Sequence, residues 1–166
     1  MAQDFTADGP DRKWGADISY IWTAEGWLYL AVVLDLFSRR VVGWATSDRL
    51  KRDLAVEALR RALVARNPAP GLVHHSDRGS QFRSRKFVRA LARHDLVGSM
   101  GRVGAAGDNA AMESFFALLQ KNVLDRQRWA TRNDLRIAIV TWIERTYHRR
   151  RRQAGLGRLT PVEYET

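Results

Sequence analysis

From Lys13 to Trp22 the chain reads "KWGADISYIW", in which polar and apolar positions alternate among β-branched and aromatic residues. That is the period of a strand. "TAEG" (Thr23 to Gly26) supplies a hairpin turn, and "WLYLAVVLDLF" (Trp27 to Phe37) follows as a nearly unbroken apolar run. Such a run predicts a central strand covered on both faces. "SRR" turns the chain, and "VVGWATS" (Val41 to Ser47) returns as a third strand. The chain therefore opens with a three-stranded antiparallel meander.

The period then changes. In "RDLAVEALRRALVARN" (Arg52 to Asn67), Leu54, Ala55, Ala58, Leu59, Ala62 and Leu63 share one helical face, and Pro68 and Pro70 follow the helix end. "GLVHHS" (Gly71 to Ser76) is a short fourth strand. "SRKFVRALARHD" (Ser84 to Asp95) predicts a second helix, with Ser84 as N-cap and Phe87, Val88, Leu91 and Ala92 facing inward. "LVGSM" (Leu96 to Met100) is a fifth strand. After the glycine-rich "GRVGAAG" (Gly101 to Gly107), a third helix runs from Asp108, its cap, to Leu124. A fourth begins near Thr131 with a start like a capping box, and Leu135, Ile139, Trp142, Ile143 and Tyr147 form its stripe. The end of the chain is basic and then turn-like.

There are no internal repeats and no low-complexity linker, so one domain is expected. Residues 1–12 read as a flexible lead-in, 13–148 as the folded core and 149–166 as a basic C-terminal tail. Three antiparallel strands followed by βαβ-type steps predict an α/β fold. Its sheet has five strands, the meander plus two parallel strands, and is flanked by helices.

Composition narrows the chemistry. Hydrophobic residues make up 45% of the 166, enough to fold rather than stay disordered. There is no cysteine, which removes disulfides, thiolate zinc sites and cysteine nucleophiles. The polar start carries no apolar signal region, and no apolar run is long enough to cross a bilayer. The net charge is +10, almost all of the positive charge being arginine, which favours a polyanionic partner such as nucleic acid.

Against that basic background, three carboxylates stand out. Asp17 lies inside the first strand, Asp77 ends the fourth in "HHSDRGSQF", and Glu113 sits one turn into the third helix. If the first and fourth strands are sheet neighbours and the helix packs across them, the three meet in one cleft. Three clustered acids repel one another unless a cation is present. Hard divalent ions such as Mg²⁺ or Mn²⁺ favour oxygen ligands, and two of them roughly 3.5–4 Å apart can drive phosphoryl transfer. The basic charge would hold the polyanion and the acidic cluster the metal.

"WGADISYI", "YLAVVLDLFSRRVVGW", "HHSDRGSQF" and "DNAAMESFFALLQK" together resemble the catalytic core of bacterial insertion-sequence transposases related to retroviral integrases. The resemblance covers roughly Phe5 to Tyr164, and 35 residues separate Asp77 from Glu113, as is typical of that family. It implies a ribonuclease-H-like fold and an aspartate–aspartate–glutamate triad at Asp17, Asp77 and Glu113. Asp17 would bridge two Mg²⁺ (or Mn²⁺) ions, with Asp77 and Glu113 each completing one site. Water would attack in cleavage and a DNA 3′-hydroxyl in strand transfer, without a covalent enzyme–DNA intermediate. The implied partners are transposon ends, target DNA and further copies of the chain, with no membrane and no nucleotide cofactor, in the bacterial cytoplasm on nucleoid DNA. A ribonuclease-H-type nuclease and a non-catalytic DNA-binding fragment are the alternative readings.

Two departures from the family pattern carry expectations. Where many relatives have a basic residue seven positions after the glutamate, this chain has Gln120, with Lys121 next to it. Relatives also carry helix-turn-helix segments ahead of the core, so this chain alone is expected to lack most end specificity. The candidate DNA contacts are Arg78, Ser80, Gln81, Asn109, Gln120, Lys121 and the run Arg149, Arg150, Arg151 and Arg152. Ser80 and Gln81 are suited to bond either the backbone or DNA. Asp35 reads as a turn-forming or arginine-paired residue. His74 and His75, adjacent on a strand, point to opposite faces and do not share one ion. "GRVGAAG" lacks the phosphate-loop pattern, so nucleotide hydrolysis is not indicated.

Overall fold

The computed structural model describes residues 7–50, 53–76, 79–100 and 110–166. Strands β1 (Lys13–Thr23), β2 (Gly26–Asp35) and β3 (Val41–Ser47) form the meander. Helix α1 (Leu54–Arg66) leads to β4 (Val73–Ser76). A short α2 (Ser80–Arg83) and α3 (Arg85–Arg93) lead to β5 (Val97–Met100). Then come α4 (Ala110–Asn122), α5 (Arg132–Thr141) and a small α6 (Pro161–Glu165). The sheet order is β3-β2-β1-β4-β5: β1 pairs antiparallel with β2 and parallel with β4, and β4 pairs parallel with β5. The mixed five-stranded sheet expected from the sequence is the one formed.

Alternation along the strands divides the core into two. Trp14, Ala16, Ala31 and Val33 pack on α1 and α3; Leu30, Val32 and Leu34 pack on α4, α5 and the turn that follows α5. This is why β2 reads as a continuous apolar run: it is covered on both faces. Gly43 of β3 allows α1 to approach closely, since a Cβ there would lie 2.7 Å from the Cβ of Ala62 and against the carbonyl of Ala58.

Ser84 caps α3 by accepting from the N–H of Phe87 (3.2 Å), and Thr131 caps α5 by accepting from Asp134 (3.0 Å). Four features differ from the sequence reading. Val88 and Ala92, expected to face inward on α3, are exposed, and Phe87 and Leu91 alone are buried there, because the helix covers the sheet with a narrow stripe. The stretch after Gly79 is a four-residue helix rather than a plain turn, with Phe82 packed edge-on against Phe87 at 5.3 Å. Residues Trp142–Tyr147 continue α5 as a π-helix. The turn-like end contains α6, whose capping box joins Thr160 and Glu163.

The C-terminal segment is fastened to the β2–β3 turn and to α1. Arg66 binds Glu165 at 2.6 Å and Asp11 at 2.8 Å, and it lies 3.5 Å from Asp35. Ser38 donates to Glu165 at 2.7 Å, and the Tyr147 hydroxyl donates to the carbonyl of Arg39 at 2.6 Å. The cap expected at Asp108 and the loop Gly101 to Gly107 lie outside the described residues, as do residues 1–6 of the lead-in.

Candidate active site

Asp17 sits mid-strand in β1, opposite Val32 of β2. Its neighbours Ala16 and Ile18 face the α1 side, so Asp17 shares the other face with Ile21 and with the residues that hold α4. It is half-buried, and its Oδ1 accepts from the N–H of Ile18 at 2.8 Å, which fixes the carboxylate. Helix α4 lies on this same face through Met112, Phe115 and Leu119. Glu113, next to buried Met112, is exposed at the start of that helix. Val32, the partner of Asp17, and Met112, the neighbour of Glu113, belong to one packed cluster. The fold thereby brings Asp17 and Glu113 to the same side of the sheet.

Asp77 lies outside the described residues; it follows Ser76, the last residue of β4. Strand β4 runs beside β1 with Gly15 paired to His75. Among the described residues no group of three or more histidine, aspartate or glutamate side chains is placed to hold a metal ion. The two described candidate positions, Asp17 and Glu113, offer only carboxylate oxygens, a donor set that fits a hard divalent cation and not a soft one.

The candidate DNA contacts fall into distinct settings. Arg78 and Asn109 lie outside the described residues. Ser80 is exposed at the start of α2. Gln81 is buried, and its Oε1 accepts from the N–H of Ala55 at 3.4 Å, so of its two suggested roles the backbone bond is the one present. Gln120 and Lys121 are exposed on α4, and Gln120 donates to Asp125 at 2.6 Å. Arg149, Arg150, Arg151 and Arg152 are all exposed, directly after buried His148.

The remaining titratable groups of the motifs are structural. His74 is packed edge-on against Phe87 at 5.2 Å, and burial pushes its imidazole down to about 4, so it stays neutral. Asp35 is fully buried, accepting from the N–H of Phe37 at 3.0 Å with the Ser38 hydroxyl oxygen 3.3 Å away, as a turn-forming residue does. Burial, with the Glu165 carboxylate beside it, pushes Asp35 up to about 7. Sequence reading missed the aromatic end of the β1–β2 hairpin, where Tyr20, Trp22 and Trp27 are exposed. The signal was present in the aromatic residues flanking "TAEG".

Residues 7–106 match the integrase core domain family, and residues 95–161 match a second integrase core domain description. This chain belongs to the integrase core family. It is 43% identical over 165 residues to the transposase InsF for insertion sequence IS3A of Escherichia coli (strain K12). It is 37% identical over 163 residues to the transposase for insertion sequence element IS629 of Shigella sonnei. These alignments take in 99% and 98% of this integrase core but only 57% and 54% of the relatives, so the chain spans little more than half their length.

Among solved structures, the core superposes on a chain of the simian T-cell lymphotropic virus intasome in complex with PP2A regulatory subunit B56 gamma. There the TM-score is 0.76 at 17% identity, covering 99% of this chain and 57% of that one. It also superposes on the HTLV-2 integrase catalytic core domain in complex with magnesium (TM-score 0.69, 17% identity, 96% and 99% covered). The fold shared with these integrase cores is ribonuclease-H-like. Among the described residues no helix is long and apolar enough to cross a membrane.

Proposed function

We propose that this chain is the catalytic core of an insertion-sequence transposase that cuts and joins DNA by metal-dependent phosphoryl transfer. The observation that carries the reading is the placement of Asp17. It is a carboxylate in the middle of an apolar strand, on the sheet face that also carries α4 with Glu113 at its start. Among apolar strand residues it presents oxygen donors of the kind a hard divalent cation takes. The parallel register of β1 and β4 supports the third position: Asp17 is two residues beyond Gly15, and Asp77 two beyond its partner His75.

In this reading Asp17, Asp77 and Glu113 would hold the Mg²⁺ or Mn²⁺ ions, two per site. When bound, the ions activate the attacking oxygen and stabilise the leaving oxygen. Water attacks phosphorus in cleavage, the P–O bond to the 3′ oxygen breaks, and a 3′-hydroxyl is left. That hydroxyl attacks a target phosphorus in strand transfer, so a P–O bond forms as another breaks. The Ile18 N–H holds the Asp17 carboxylate in place. Exposed Ser80, Lys121 and the arginines from Arg149 to Arg152, with Arg78 and Asn109, contact transposon ends and target DNA. Residues 13–148 form the catalytic unit, and 149–166 add phosphate contacts. Copies of the chain assemble on DNA in the bacterial cytoplasm.

The test is metal-dependent nicking of a plasmid by the wild-type chain and by Asp17→Asn, Asp77→Asn and Glu113→Gln. Nicking in Mn²⁺ that each substitution abolishes supports the triad. Nicking that survives all three, or cutting confined to the RNA of RNA–DNA hybrids, overturns the reading.

A further inference from the structure

We infer that the free end of the β1–β2 hairpin is a stacking platform for unpaired DNA bases. The inference rests on the proposed function for the class of its ligand and on a separate surface for its site. Tyr20 and Trp22 are 64% and 61% exposed and Trp27 is 41% exposed, whereas Trp14 and Trp142 are buried. The exposed rings are not scattered. Trp22 lies opposite Trp27 and Tyr20 opposite Tyr29 across the hairpin. Trp22 and Trp27 meet edge-on at 4.9 Å, and Tyr20 and Trp27 at 5.1 Å. A contiguous exposed apolar patch of this kind marks a binding surface.

The platform is held rigidly. Arg132 donates to the carbonyls of Trp27 and Glu25, each at 2.9 Å, and the N–H of Ala24 donates to the carbonyl of Trp129 at 2.9 Å. Thr23 closes the turn by donating to the carbonyl of Gly26 at 2.7 Å. Rings already fixed in place lose little entropy when a ligand stacks on them.

What covers the rings is indicated by the cleft beside them. It has a volume of about 560 Å³ and is lined by Tyr20 and Trp22 together with Gln120, Gln127 and Arg128. Two amides suit the edges of bases, and exposed Arg128 suits a phosphate. The nearby carboxylates are already engaged: Asp125 accepts from Gln120, and Glu25 accepts from the N–H of Arg132. By strand alternation the rings of Tyr20 and Trp22 belong to the sheet face opposite Asp17, and Gln120 and Ile21 bring the cleft round the free edge of β1 from the α4 side. A duplex shows base faces only where it frays, so the rings select unpaired nucleotides at an opened DNA end.

The test is fluorescence anisotropy of the full chain, in chelator, with a labelled oligo(dT) single strand and a blunt duplex of equal length. The single strand should bind with quenching of tryptophan emission. Trp22→Ala should weaken it by about tenfold, with the duplex unaffected, and Trp22→Phe should restore most of the loss. A melting curve of each variant shows that the fold is intact. Glu113→Gln should retain single-strand binding, and a wild-type chain that binds the single strand but neither nicks nor joins DNA in Mg²⁺ or Mn²⁺ would defeat the proposed function and leave the platform standing. Single-strand affinity unchanged in both Trp22→Ala and Trp27→Ala overturns the platform. So does a concentration-dependent dimer that Trp22→Ala dissolves while single-strand binding stays the same, since the patch would then seat a second copy.

Discussion

The N–H of Val41 donates to Nε2 of His148 at 2.9 Å. That bond requires an unprotonated Nε2, so His148 is neutral with its proton on Nδ1, which lies 3.6 Å from Glu144. Burial pushes His148 down to about 4, the Glu144 carboxylate opposing the shift and Arg40 adding to it. His74 is likewise held at about 4 by burial. The unfolded chain protonates both near 6.5, so it binds more protons than the fold between pH 6.5 and 4. Their contribution is complete above pH 6.5 and is lost as the pH falls towards 4. Asp35 acts in the opposite sense. Raised to about 7 from 3.8, it gains its proton earlier in the fold and favours the fold as pH drops through that range. Two protons against one leave a net loss of about 1.4 kcal/mol per pH unit between 6.5 and 4.5. Glu165, held at about 2, adds to the loss below 4.5. Urea unfolding at several pH values should show this slope, and His148→Gln, which keeps an acceptor for Val41, should nearly flatten it. An unchanged slope contradicts the assignment.

Arg66 joins three carboxylates, those of Asp11, Asp35 and Glu165. Removing it strips the buried Asp35 of its cation and leaves Glu165 with Arg40 alone, so Arg66→Ala should destabilise the chain by about 3 kcal/mol. The shift of the urea midpoint measures it, and a loss below about 1 kcal/mol would show that the cluster is not a clasp.

Gly43→Ala places a methyl group against Ala58 and Ala62 of α1. The overpacking should cost about 1–3 kcal/mol in denaturant unfolding. A neutral result would mean that α1 shifts freely on the sheet.

The arginines from Arg149 to Arg152 project from a buried anchor at His148. Each arginine in contact with phosphate should contribute about 0.9 to the slope of log K against log salt for duplex DNA. Replacing all four with glutamine should lower the slope by about 3 to 4. An unchanged slope would mean that the run is merely solvated.

Residues with a local period announced themselves in the sequence. Alternation at Trp14, Ala16 and Ile18 gave β1, the apolar run through Val32 and Val33 gave its doubly covered partner, and Ser84 marked its helix. What escaped has no period or no local partner. Helix α2 has four residues, too few for a stripe, so Gln81 could not be read as inward-facing. The π-helix keeps the stripe of an α-helix at Ile139, Trp142 and Ile143, and only its hydrogen bonds differ. Arg66 meets Asp11 and Glu165 across 55 and 99 residues of chain, which no window of sequence joins. Of the candidate site, the common face of Asp17 and Glu113 follows from strand parity and helix placement. Asp77 is named by motif alone.

The most direct measurement is strand transfer. The chain is mixed with pre-cut DNA ends bearing a free 3′-hydroxyl and a plasmid target in Mg²⁺ or Mn²⁺, beside Glu113→Gln. Joined products from the wild type that vanish in Glu113→Gln are the predicted result. Joining that persists at full rate in Glu113→Gln, or DNA binding that neither joins nor cuts and ignores the loss of Asp17 and Glu113, would contradict it.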